Sequence, residues 1–226
     1  MNYTKLEYFI SRPRLDKFRI ATGNSVVKAE QLYHINLRVS RSFYPILHMF
    51  ELALRNSINE NLALYFSNPQ WIIHEKDRFM SAPSLGASGY YLKRSVEDAE
   101  SFVTGKYGSV SAGRIISCQH FGFWTRLFDL LHWRLINGNL IRCFPARPRD
   151  VNRRVVSSML NRIRGFRNRV YHNEPICFSG SHLNFDMVHS IREEIYTILR
   201  WMDEDLAIYI QHFDDIDAEI ARIQDL

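Results

Sequence analysis

Phe43-Tyr44-Pro45-Ile46-Leu47-His48-Met49-Phe50-Glu51-Leu52-Ala53-Leu54-Arg55-Asn56-Ser57-Ile58-Asn59-Glu60-Asn61-Leu62-Ala63-Leu64-Tyr65 decides the fold class. Phe43, Ile46, Leu47, Phe50, Leu54, Ile58, Leu62 and Tyr65 recur mostly three or four residues apart, the period of one apolar stripe along an α-helix. Pro45 falls where the first turn of a helix tolerates proline, so the spacing predicts a start near Ser42 as cap and a stop at Ser67-Asn68-Pro69.

The same period recurs on both sides. Val26 to Val39 carries a weaker helical pattern, and Glu97 to Phe102 and Ile115 to Ile136 read as shorter helices. The second of these breaks near His120 to Gly122, with Gly122 expected at a tight turn, and ends at Asn137-Gly138-Asn139. Met80 to Tyr90, rich in serine, glycine and proline, reads as a mobile loop, and Phe144-Pro145-Ala146-Arg147-Pro148 as a rigid connector.

Val155, Val156, Met159, Leu160, Ile163, Phe166 and Val170 mark a further helix, expected to stop near His172 because Glu174 precedes Pro175. A last long run carries Ile195, Ile198, Leu199, Met202, Leu206, Tyr209, Ile210 and Phe213, with an extension through Ile216, Ile220 and Ile223. Strand-like alternation is scarcely present, so the expected class is all-α. The expected organisation is one helical domain over residues 1–226, with N-terminal helices at about 1–40 and an acidic C-terminal helix at about 214–226 as extensions.

Composition narrows the function. With 46% hydrophobic and 13% aromatic residues, and no run near eighteen apolar residues, a membrane-spanning helix is not expected. The N-terminus lacks a basic segment followed by an apolar one, so no secretion signal is expected. Cys118, Cys143 and Cys177 are an odd set without paired spacing, as reduced cysteines of a cytoplasmic protein would be.

The net charge of +5 hides an asymmetry. Between Arg142 and Arg169 nine arginines face one acid, Asp150, a local balance of +8, whereas Trp201 to Leu226 carries eight acids and one base, Arg222, a balance of −7. Arginine-dense segments suit bidentate contacts to phosphate, which points to a nucleic-acid partner. The alternative is two solvated faces that pair with each other.

Inside the basic stretch stands Arg167-Asn168-Arg169-Val170-Tyr171-His172, a permanent cation and a titratable imidazole five positions apart. Cleaving an RNA phosphodiester with its own 2′-hydroxyl needs a proton acceptor and donor near neutral pH and a cation for the phosphorane, and needs no metal; histidine and arginine supply them. Asn168 and His172, four apart, share a helix face, but Arg167 lies roughly 140° from His172 at about 100° per residue. Convergence therefore needs arginine's reach, a distorted last turn, or a second copy of the motif. The alternative role for His172 is a capping or surface group.

Glu51 and Arg55, four apart beside Asn56, read either as a structural ion pair or as support for the Arg–His motif. Phe121, Phe123, Trp124 and Phe128 read either as core or as platforms for unpaired bases. The remaining histidines lack metal-ligand spacing, and no HExxH, cysteine pair, glycine-rich phosphate loop or GxSxG elbow occurs, so neither metal nor cofactor is expected.

Arg167-Asn168-x-x-x-His172 late in a helical chain resembles the motif of HEPN ribonucleases. Together with Phe50-Glu51-Leu52-Ala53-Leu54-Arg55-Asn56-Ser57-Ile58, Phe121-Gly122-Phe123-Trp124-Thr125-Arg126-Leu127-Phe128 and the continuation to Pro175, in this order, it resembles the Abi-like (abortive infection, AbiD/AbiF-type) proteins of bacteria over roughly residues 20 to 215. The resemblance implies a HEPN-like helical bundle with additional helices, which dimerises and joins two Arg–His motifs in a cleft. It implies that His172 acts as general base or acid, Arg167 stabilises the phosphorane and Asn168 orients the histidine or the phosphate. Glu51, Arg55, Asn56 and Tyr171 would support them, and Arg153, Arg154, Arg162, Arg164 and Arg169 would bind RNA. The implied function is a cytoplasmic, metal-independent endoribonuclease of phage defence, toxin-like and held in check by an antitoxin or a small noncoding RNA, leaving 2′,3′-cyclic phosphate ends. An RNA-binding HEPN protein without catalysis, and a protein-binding regulator acting through the acidic C-terminal helices, are the competing functions.

Overall fold

A computed structural model describes residues 2–226, Asp225 by its backbone alone. Among the described residues the chain is all-α apart from one hairpin of two two-residue strands. The order begins α1 (Tyr3–Ile10), α2 (Arg12–Ala21), α3 (Val26–Tyr65), α4 (Trp71–His74), α5 (Tyr91–Tyr107) and α6 (Ala112–Cys118). It continues with α7 (Phe121–Arg126), α8 (Leu130–Leu135), α9 (Arg153–Tyr171), strands β1 (Phe178–Ser179) and β2 (His182–Leu183), α10 (Asp186–Met202), α11 (Glu204–Gln211) and α12 (Ile216–Ala221). The strands pair antiparallel, Phe178 opposite Leu183. No helix among the described residues is long and apolar enough to cross a membrane.

α3 corrects the expected start at Ser42. It is one helix of 40 residues that runs through Pro45, joining the two predicted patterns. Proline removes one backbone hydrogen bond and costs about 3 kcal/mol in a helix interior. Phe43, Ile46 and Leu47 are almost fully buried around it, and each such side chain contributes roughly 1.5–3 kcal/mol, so the stripe outweighs the local break. Ser42 caps nothing; its hydroxyl donates back to the Arg38 carbonyl at 3.1 Å.

Three further expectations need correction. Residues 80–90 are not an open loop but carry 3-10 turns at Phe79–Ser81 and Pro83–Ser88, anchored by buried Met80 and Leu85. The last long run is broken at Asp203, whose carboxylate accepts the Leu206 N–H at 3.0 Å as the cap of α11. Gly122 lies inside α7 rather than at a turn. A Cβ there would come within 3.2 Å of the Tyr91 hydroxyl, so its value is the close approach of α5.

Packing divides the chain into two compact units: residues 1–49, 165–196 and 207–226 in the first, and 50–164 and 197–206 in the second. The N-terminal helices and the acidic C-terminal helix thus belong to the same unit. Its core includes Leu6, Leu15, Phe18, Leu32, Cys177 and Phe178, with the Phe18 ring edge-on to Tyr33 at 5.3 Å and to Phe178 at 5.2 Å. The second unit is built on Phe50, Leu54, Ile58 and Leu62 of α3 with buried Trp71, Phe123, Trp124, Phe128 and Phe144. The Trp71 indole donates to Asn59 Oδ1 at 2.9 Å.

Candidate RNA-cleaving site

The end of α9 carries the candidate residues. Phe166 is buried against Phe43, their centroids 4.7 Å apart, and this anchor turns the positions that follow it outward. Asn168, Tyr171 and His172 are exposed and Arg167 is half-buried. The helix stays α-helical to its end, the His172 N–H reaching the Asn168 carbonyl at 2.8 Å. The distorted last turn that would swing Arg167 toward His172 does not occur. The offset of roughly 140° set by helix geometry stands.

The helix stops through a Schellman arrangement that proline alone does not explain. Asn173 adopts left-handed geometry (φ 56°), its N–H reaches the Val170 carbonyl at 3.1 Å, and the Glu174 N–H reaches the Arg169 carbonyl at 2.8 Å. His172 is therefore the last residue before the left-handed turn. Arg14 fixes the turn by donating to the Asn173 carbonyl at 3.0 Å. Beyond it, the buried Asn36 side chain accepts the Ile176 N–H at 2.8 Å. The imidazole sits on a braced backbone while its ring faces solvent.

Arg167 lies over the Tyr171 ring, guanidinium carbon to centroid 4.0 Å. Such a cation–π contact is worth about 0.5–1 kcal/mol at an exposed site and restricts a side chain that otherwise samples many rotamers. Tyr171 in turn stacks on Tyr44 at 6.1 Å, and Tyr44 on His48 at 6.3 Å with rings 5° from parallel. Tyr44 and His48 were missed from the sequence. Their four-residue spacing on α3, off the apolar stripe, was the available signal.

The other predicted residues are distributed as follows. Arg169 clamps the loop after the site, donating to the Pro175 carbonyl and to Met187 Sδ (3.2 Å), with Glu174 at 3.5 Å. Glu51, Arg55, Asn56, Arg153, Arg154, Arg162 and Arg164 all belong to the second unit. There Arg55 donates to Asn56 Oδ1 at 3.4 Å, Arg153 to the Phe128 carbonyl at 3.1 Å, Arg162 to Ser158 Oγ at 2.7 Å and Arg164 to Thr125 Oγ1 at 2.9 Å. Arg154 is exposed.

Phe121, Phe123, Trp124 and Phe128 are at most 2% exposed, which assigns them to the core and removes them as base platforms. The acidic tail has partners in its own unit. Arg192 holds Asp214 at 2.6 Å and Asp217 at 2.7 Å, and Glu219 meets Arg41 at 3.2 Å and Arg222 at 2.7 Å. Cys177, near the site, is buried, and burial pushes its thiol up to about 12, which leaves it a poor nucleophile. Among the described residues, no group of three or more histidine, cysteine or acidic side chains is placed to hold a metal ion.

No protein-family model, curated protein or solved structure matches this chain.

Proposed function

We propose that the chain is a metal-independent endoribonuclease of the HEPN type. The observation that carries this is the braced helix end, with an exposed imidazole at the residue that follows α9 and Arg167 pinned over its neighbour Tyr171. His172 takes the proton of the attacking 2′-hydroxyl or returns one to the departing 5′-oxygen, and Arg167 neutralises the crowded phosphorane. Asn168, on the face of His172, orients the imidazole or the phosphate. Because the intact helix keeps Arg167 and His172 apart in angle, each chemical centre takes its histidine from one copy and its arginine from a second, in a two-fold homodimer.

In this account the protein works in the cytoplasm as a toxin-like element of phage defence, restrained by an antitoxin or a small noncoding RNA. The competing function, an RNA-binding HEPN protein without catalysis, draws support from the same contact, because an arginine held on its own tyrosine serves a stable complex equally well. Incubation of RNA with the purified protein in EDTA separates the two. Cleavage lost in His172→Ala and leaving 2′,3′-cyclic phosphate ends supports the nuclease; intact RNA bound with a steep salt dependence supports the binder.

A further inference from the structure

Large aromatic side chains are normally turned inward, and the four rings that the sequence left as either core or base platforms are buried. Two tyrosines next to the site do the opposite. Tyr44 is 57% exposed and Tyr171 is 40% exposed. They belong to one ladder in the first unit, Arg167 over Tyr171, Tyr171 on Tyr44, Tyr44 on His48, assembled from the end of α9 and the first half of α3. The planes are 28° apart for Tyr171 on Tyr44 and 5° apart for Tyr44 on His48, and centroid separations of 6.1 and 6.3 Å are too long for full face-to-face overlap, so the rings are slipped sideways and each leaves part of its face open.

Building on the RNA-directed function proposed above, we infer that this ladder seats unpaired bases beside the scissile phosphate, so that the substrate is single-stranded RNA. A slipped aromatic face accepts any base by stacking, and the arginine at its end matches the charge of the adjoining phosphate. A duplex cannot use the ladder, because its base faces are covered by their neighbours and only its backbone and groove edges are on offer. The ladder thus gives selectivity for strand state rather than for sequence.

The test uses the full chain and 2′-O-methyl oligonucleotides, which lack the attacking hydroxyl and so isolate binding from cleavage. A single-stranded oligouridylate is compared with a blunt duplex of the same length and with an abasic strand. Wild type binds the single strand more tightly than either comparator. Tyr44→Ala weakens that binding by on the order of tenfold while the slope of affinity against salt is unchanged, and Tyr44→Phe restores it. His48→Ala gives a second, smaller loss, and far-UV circular dichroism with urea midpoints verifies that each variant folds.

Equal affinity for duplex and single strand overturns the inference, as does a Tyr44→Ala loss that the abasic strand shares. If natural single-stranded RNA stays uncut while the tyrosine variants lose affinity, the ladder stands and the nuclease falls. If His172-dependent cleavage is found and the tyrosine variants bind as wild type does, the ladder falls alone.

Discussion

Replacing Arg192 by methionine tests how the acidic tail is held. Asp214 has a side chain only 1% exposed, and its carboxylate lies 2.6 Å from Arg192 Nε, while the other branch of the guanidinium reaches Asp217 at 2.7 Å. Asp217 is 60% exposed, so its contact is worth less than about 1 kcal/mol. Asp214 decides the outcome, because removing its cation strands a buried charge, for which about 3–5 kcal/mol is the usual cost. The Ile216 N–H, 3.2 Å from its other oxygen, offsets a little, which places the expected loss near the lower end, about 3 kcal/mol. Urea unfolding followed by circular dichroism measures it. Adding Asp214→Asn to Arg192→Met should recover most of the loss, because the stranded charge is gone. A loss below about 1 kcal/mol, or a double variant no more stable than the sum of the singles, would refute the claim that this buried pair docks the tail.

Three further outcomes follow from particular side chains. Asn173→Gly should leave stability unchanged or slightly raised in urea melts, whereas Asn173→Val should cost roughly 1–3 kcal/mol and slow RNA cleavage, because a β-branched residue resists the left-handed turn that sets His172. His132 is buried in the second unit and burial pushes its imidazole below its ordinary value. The unfolded chain therefore binds this proton at higher pH than the native one. The corresponding stability is present above pH about 6.5 and is lost as pH falls toward the folded value, at up to about 1.4 kcal/mol per pH unit. Urea midpoints for wild type should fall more steeply below that pH than those of His132→Gln; parallel curves contradict the assignment. Burial pushes Cys143 and Cys177 up to about 12, so a thiol reagent at neutral pH should label half-buried Cys118 first and the other two only on unfolding, as peptide mass mapping will show.

The helical class and the end of α9 beside His172 were legible because both rest on period and on chain-local stops. The stripe from Phe43 to Tyr65 is buried at the core positions Phe43, Ile46, Leu47, Phe50, Leu54, Ile58 and Leu62, and α9 ends one residue before His172. What was not legible depended on residues distant in sequence. Pro45 was read as a helix start because local rules weigh one lost hydrogen bond and cannot weigh the burial of the stripe on either side. The capping carboxylate of Asp203 was hidden inside an apolar run that looks continuous. Phe121 to Phe128 stayed open between core and base platform until burial settled them as core, because density of rings is visible in a sequence and exposure is not. Tyr44 and His48 show only a four-residue spacing in the sequence, and their place in a ladder depends on Tyr171, which packs beside them from α9.

The central claim is that His172 and Arg167 cut RNA without a metal. The direct measurement is cleavage of single-stranded RNA in EDTA by wild type, His172→Ala, Arg167→Ala and an equimolar mixture of the two variants, with end mapping. Wild type should leave 2′,3′-cyclic phosphate ends, and each variant alone should lose at least about a hundredfold in rate. The mixture should regain part of the activity, because a mixed dimer assembles one intact centre. Full cleavage by either single variant contradicts the account.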